Sequence, residues 1–222
     1  MIANVAAFVL TLIVPELTLH FGLRPADIFG RLNVWQPITY MFLHAGIFHI
    51  LFNMLALWMF GVELERMWGS RFFVKYYFVC GVGAAMTTVL LSFVPGSFGQ
   101  QLYYSLTIGA SGAVYGILLA YALYFPNRPI LLYFIFPIPA KYFVAIMGAI
   151  SLLSSMSGPG GGIAHTTHLG GLVAGYLYLK GGRVHLLSEI KYRYLKWRIN
   201  RMRRKFDVYS GGRADDVNRR VH

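Results

Sequence analysis

Between Ile2 and Leu179 the sequence passes through six apolar stretches, each close to the roughly 20 residues an α-helix needs to cross a bilayer. In hydrocarbon every backbone N–H and C=O must find its partner within the protein, which a helix provides internally. The first stretch runs from Ile2 to about Phe21 and is interrupted by Pro15 and Glu16. It does not read as a signal peptide, because it has no basic leading region and no clear small-residue cleavage site follows. The second runs from Ile47 to about Met67, the third from Phe72 to Val94 and the fourth from about Ser111 to Phe125. The fifth runs from about Tyr142 to Met156 and the sixth from about His165 to Leu179. Between the fourth and fifth, Pro126, Pro129, Pro137 and Pro139 make Ile130 to Ile138 an interfacial connector rather than part of a span.

Charge supplies the orientation. Charged residues are only 13% of the chain, against about a quarter in soluble domains, while hydrophobic residues are 57%. The net charge of +12 is concentrated at one end, with thirteen of the twenty Lys and Arg between Lys180 and Arg220. With the N-terminus inside, eighteen basic residues fall on inner segments, and only Arg24 and Arg31 on outer ones. Lys and Arg favour cytoplasmic loops. The expected fold is therefore an all-α membrane protein, a six-transmembrane-helix bundle with both termini cytoplasmic. Residues 1–181 would form the membrane domain and residues 182–222 a basic cytoplasmic tail. From Val184 to Phe206, Leu187, Ile190, Tyr194 and Trp197 recur at helical spacing among Lys and Arg, a pattern that suits anionic membrane lipid rather than nucleic acid. Cys80 is the only cysteine, so no internal disulfide is possible.

Polar groups inside apolar spans mark function by default. Spans two, four and six run from outside to inside and carry His49 with Asn53, Ser111 and His168 near their starts. At about 1.5 Å of rise per residue these groups share one depth, slightly below the outer face. Gly112 and Gly116 stand i,i+4 immediately below Ser111, and Gly171 and Gly175 stand in the same way below His168. Small-xxx-small faces let helix backbones approach closely in lipid, which would press Ser111 against His168.

The chemistry of such a pair is nucleophilic. A serine hydroxyl needs a base to take its proton, and imidazole suits that task. Glu63 and Glu65 lie about 21–24 Å along the helix from His49, so no acid is placed to orient the histidine. This predicts a Ser-His dyad rather than a triad. The Ser111 N–H and the side chains of His49 and Asn53 could donate to a developing oxyanion. His165, one turn before His168, competes for the role of base but lacks the glycine spacing. His44 reads as a brace for the outer loop through hydrogen bonds. No His-Glu-x-x-His motif is present, so no metal site is expected, and nothing in the chemistry calls for a cofactor.

At these residues the chain resembles the rhomboid family of intramembrane serine proteases. The matching elements are Gly109-Ala110-Ser111-Gly112-Ala113-Val114-Tyr115-Gly116, His49-Ile50-Leu51-Phe52-Asn53 and His168-x-x-Gly171-x-x-x-Gly175. Gly61-Val62-Glu63-Leu64-Glu65 with Trp68-Gly69-Ser70 is similar to the family's segment after the second helix, and His44 also matches. The similarity spans roughly Trp35 to Lys180. It departs at Trp35-Gln36, where family members often have arginine after the tryptophan.

The resemblance implies a rhomboid-like bundle with an outer loop lying partly in the membrane and a water-filled cavity at the serine. It also implies cleavage of transmembrane segments of other proteins, with Ser111 as nucleophile, His168 as base, and His49, Asn53 and Ser111 as the oxyanion hole. The expected location is a multi-pass integral protein of the bacterial inner (plasma) membrane. An inactive rhomboid-like binder of membrane clients is the alternative, although such a protein would usually lack the serine or the histidine. Ser157 to Gly162, with four glycines, would cap the site, and the short fifth span would move as a lateral gate.

Overall fold

The structure is a computed structural model, and it describes residues 1–132, 135–155 and 162–183. The predicted tail helix and the Ser157–Gly161 part of the cap fall outside the described residues. The account below concerns the compact unit Met1–Lys180.

The protein is mostly helical. The first apolar stretch is two helices, α1 (Ile2–Ile13) and α2 (Glu16–Phe21), rather than the single span the sequence suggested. Pro15 stands between them, and proline both lacks an N–H and clashes with the preceding turn. Two short helices follow, α3 (Pro25–Arg31) and α4 (Gln36–Thr39), then a 3-10 turn at Tyr40–Phe42. The long helices α5 (Ile47–Trp68) and α6 (Ser70–Leu91) are joined by Gly69 alone, at φ +79°. Among the described residues these two helices are long and apolar enough to cross a membrane.

Helix α7 (Ser97–Tyr104) was not expected from the sequence; it packs against α3 and α6. The central helix is α8 (Ser111–Tyr124), in which ten of 14 residues are buried. It packs on α5, α6 and α9 (Ala140–Ser155). The last described helix is α10 (Gly162–Arg183), which begins three residues before the expected His165. The connector between α8 and α9 is an antiparallel hairpin of β1 (Pro129–Leu132) and β2 (Phe136–Pro139), with Pro129 opposite Pro139 and Leu132 opposite Phe136. Pro137 and Pro139 are tolerated because a two-stranded sheet has only edge strands. The Arg128 guanidinium at its base pairs with the Glu63 carboxylate on α5.

Side chains tie the segment between α2 and α5 to the rest of the unit. Gln36, fully buried, accepts the Arg24 N–H at 3.1 Å and donates to the His20 carbonyl at 3.3 Å. Trp35 Nε1 donates to the same carbonyl at 3.1 Å, and the Thr39 hydroxyl to the Phe21 carbonyl at 2.7 Å. Gln36 thus anchors the loop to the end of α2. Leu23 and Thr107 exchange both backbone hydrogen bonds at 2.9 and 2.8 Å, fixing the loop to the segment that leads into Ser111. Buried polar atoms need partners. Tyr40 OH therefore donates to the Gly81 carbonyl at 2.7 Å, and Tyr76 OH to the Gly116 carbonyl at 2.8 Å.

Candidate active site

Glycine brings α8 and α10 into backbone contact. A Cβ at Gly171 would overlap the Gly112 carbonyl oxygen, and one at Gly175 would sit 3.2 Å from Gly116 Cα. A Cβ at Gly116 would sit 3.2 Å from the Gly171 carbonyl oxygen. Thr167 and Thr88 share a buried 2.8 Å hydrogen bond that holds α10 against α6. At the top of this face Ser111 is the first residue of α8, and its Oγ lies 2.8 Å from His168 Nε2.

The turn before Ser111 requires glycine twice over. Gly109 adopts φ +124°, which side-chain-bearing residues rarely reach, and its N–H donates to the Tyr40 carbonyl at 2.9 Å. A Cβ there would also lie 2.7 Å from His49 Nε2 and 3.7 Å from Ser111 Oγ. His49 thus faces the serine across this glycine. Its Nδ1 accepts the Ala45 N–H at 3.2 Å, so in a neutral ring the hydrogen resides on Nε2, the atom nearest the site. Asn53, one turn further along α5, donates one amide hydrogen to the His49 carbonyl at 2.8 Å and keeps the other.

His49, Asn53 and Ser111 line a common cavity of ≈ 490 Å³. Its remaining walls are apolar and come from α5, α8 and α9, including Phe52, Val114, Phe143 and Met147. The ring of His168 is stacked on Tyr115, with centroids 4.3 Å apart and planes inclined by 7°. Among the described residues His168 Nδ1 has no hydrogen-bond partner, so this aromatic stack, and no carboxylate, sets the ring plane. Tyr115 was part of the recognised sequence pattern but had no role assigned from it. Its place one turn below Ser111 on the same helix face was the available signal.

The other histidines are arranged differently. His165 meets His168 edge-on at 5.7 Å, and among the described residues the histidine hydrogen-bonded to Ser111 Oγ is His168. His44 is buried, and neither of its ring nitrogens has a hydrogen-bond partner among the described residues. It packs edge-to-face on His49 at 5.0 Å, so its brace is a ring contact rather than the expected hydrogen bond. Burial, reinforced by the neighbouring His49 ring and opposed by the Phe42 carbonyl, pushes its pKa down to about 4. Among the described residues no group of three His, Cys, Asp or Glu side chains is arranged to hold a metal ion.

A helical chain with a serine and a histidine apposed across glycine-packed helices defines a narrow class, and sequence comparison agrees with it. The rhomboid domain profile matches residues 31–182. The chain belongs to the rhomboid family. It is similar to "Rhomboid protein 1, mitochondrial" of Saccharomyces cerevisiae, 33% identical over 138 residues covering 62% of this chain and 38% of that protein. It is 30% identical to "Rhomboid protease GluP" of Bacillus subtilis over 168 residues, covering 72% of this chain and 28% of that protein. "Rhomboid protease AarA" of Providencia stuartii is 29% identical over 157 residues, covering 64% of this chain and 54% of that protein. The matched regions thus span between 28% and 54% of these relatives' own lengths.

Proposed function

We propose that this chain is an intramembrane serine endopeptidase that cleaves transmembrane segments of other membrane proteins with a Ser111–His168 dyad. The observation that carries this reading is the 2.8 Å approach of Ser111 Oγ to His168 Nε2, at the edge of a cavity opening between α5 and α9. His168 takes the Ser111 proton as Oγ attacks the scissile carbonyl. The oxyanion is met by the Ser111 N–H, which has no acceptor within the helix, by His49 Nε2–H and by the free Asn53 amide hydrogen. His168 then returns the proton to the leaving amine. Water, deprotonated by the same ring, hydrolyses the acyl-serine and regenerates the hydroxyl.

In this reading α1, α5, α6, α8, α9 and α10 are the six spans, both termini are cytoplasmic, and residues 182–222 form a lipid-binding tail. The 14 residues of α8 extend about 21 Å, against roughly 30 Å of hydrocarbon. Its N-terminus would then lie below the outer surface, at a depth where water must enter from outside. The named relatives are mitochondrial and bacterial, which supports a membrane location without choosing the bacterial inner membrane. The protease names of two relatives, and the presence of both serine and histidine, favour an enzyme over an inactive binder.

The test uses purified protein in liposomes with a panel of single-span membrane proteins. The wild type should release fragments cut within or beside the membrane segment, and Ser111→Ala should release none while inserting normally. Equal cleavage by both proteins would end the serine-protease reading.

A further inference from the structure

We propose that Ser151 is a positioning residue that couples α9 to the catalytic base through Tyr115; this rests on the Ser111–His168 reading. In helix α9 half of the residues are exposed. Leu152 and Leu153 are 52% and 65% exposed, and its buried residues are Ala140, Val144 and Ser151. Ser151 is the polar one of these three, and it is fully buried.

A serine or threonine in an apolar helix ordinarily returns its hydroxyl to a carbonyl one turn back. Thr11, Thr87, Ser92 and Ser155 all do so here, to Phe8, Gly83, Val89 and Leu152. The Ser151 hydroxyl instead crosses between helices and donates to Tyr115 OH at 3.2 Å. The same Tyr115 ring lies flat against His168 at 4.3 Å. An unbroken path therefore runs from α9 to the imidazole that faces Ser111. A stacked ring slides easily in its own plane, and a tether at the phenol oxygen removes that freedom. When α9 is docked, Ser151 holds Tyr115, and Tyr115 holds His168 square to Ser111. Displacing α9 to admit a substrate releases the tether, so the dyad is fully ordered only after α9 returns.

The experiment is inactivation of the purified full chain by a fluorophosphonate, which reaches Ser111 through water and needs no lateral entry. Ser151→Ala should lower the maximal inactivation rate about three- to tenfold, the worth of a single cross-helix hydrogen bond, with the half-saturating probe concentration unchanged. Tyr115→Phe removes the same bond from its other end, should cost as much, and replaces Ser151→Ala as the readout if that variant fails to fold. The double variant should be no slower than either single one, because both delete one interaction. A wild-type inactivation rate in Ser151→Ala, even with faster cleavage of membrane substrates, would make Ser151 a latch on α9 alone and overturn the proposal. Multiplying costs in the double variant would overturn it too. A wild-type protein that does not label at Ser111 overturns the hydrolase reading itself, and this proposal with it.

Discussion

Helix α8 meets α10 and α9 in opposite ways. Toward α10 the contact is backbone on backbone, through Gly112, Gly116, Gly171 and Gly175, with no space for even one added carbon at Gly171. Toward α9 the contact is loose. Half of the α9 residues are exposed, and a Cβ at Gly148 of α9 would meet Leu172 of α10 at an ordinary 3.5 Å. The proposed nucleophile and base, Ser111 and His168, sit on the tight side, where a misplacement of an ångström is costly to catalysis. On the loose side α9 supplies one wall of the cavity, where movement costs little buried surface. One bundle can then hold reacting atoms still and still let a polypeptide in.

The sharpest break of this contrast is a pair of equal insertions. Gly171→Val should abolish cleavage and lower stability by about 1–3 kcal/mol, because the carbonyl it meets is backbone and cannot rotate away. Gly148→Val should keep most activity and stay within about 0.5 kcal/mol of wild type. Thermal melting and cleavage assays read both variants, and equal damage would erase the distinction between the two faces.

Motion on the loose side is tested by bridging it. In a Cys80→Ala background, cysteines at Phe52 on α5 and Met147 on α9, both lining the cavity, can be joined by a cleavable bis-maleimide. The bridged protein should lose cleavage of a transmembrane substrate and regain it when the linker is cut. Labelling of Ser111 by a water-borne probe should persist throughout. Undiminished cleavage in the bridged form would exclude α9 as the gate.

A smaller effect is expected at Asn53, on the wall between the two regions. Losing one oxyanion donor typically lowers kcat by about 10²–10³, and the neighbouring His49 donor can soften this. Asn53→Ala should therefore reduce kcat with KM little changed. Weakened binding at full kcat would move Asn53 to substrate docking.

The smallest effect is a slope. His44 stays neutral in the folded protein down to about pH 4, whereas the unfolded ring protonates near pH 6.5. The unfolded chain then binds the extra proton, so the His44 contribution is complete above about pH 6.5 and is lost as pH falls toward 4. His44→Leu should flatten part of the fall in melting temperature between about pH 7 and pH 5. An unchanged slope would remove His44 from this balance.

The tight region was legible in the sequence because its determinants are local and periodic. Gly112 and Gly116, or Gly171 and Gly175, stand i,i+4 on one helix face just below Ser111 or His168, and such faces have few ways to pack. The outer loop was less legible. Gln36 anchors it by bonds to backbone groups 12 and 16 residues away, and no local pattern encodes which carbonyl a glutamine will find. Helix α7 is short and flanked by Gly96 at φ +107°, so its apolar residues never complete a membrane-length run. The hairpin was hidden by its prolines, which signal a break in a helix and are equally admissible in edge strands. His44 was placed correctly in the loop but given the wrong contact, because an edge-to-face ring contact leaves no trace in residue order.

The central claim is that Ser111 is a nucleophile because His168 is its base. Peptide mapping by mass spectrometry after treatment with a fluorophosphonate tests it on the purified protein. The account predicts a single phosphonate adduct on Ser111 in the wild type, retained in His165→Ala and lost in His168→Ala. An adduct elsewhere, or one that forms on Ser111 at the wild-type rate without His168, would contradict it.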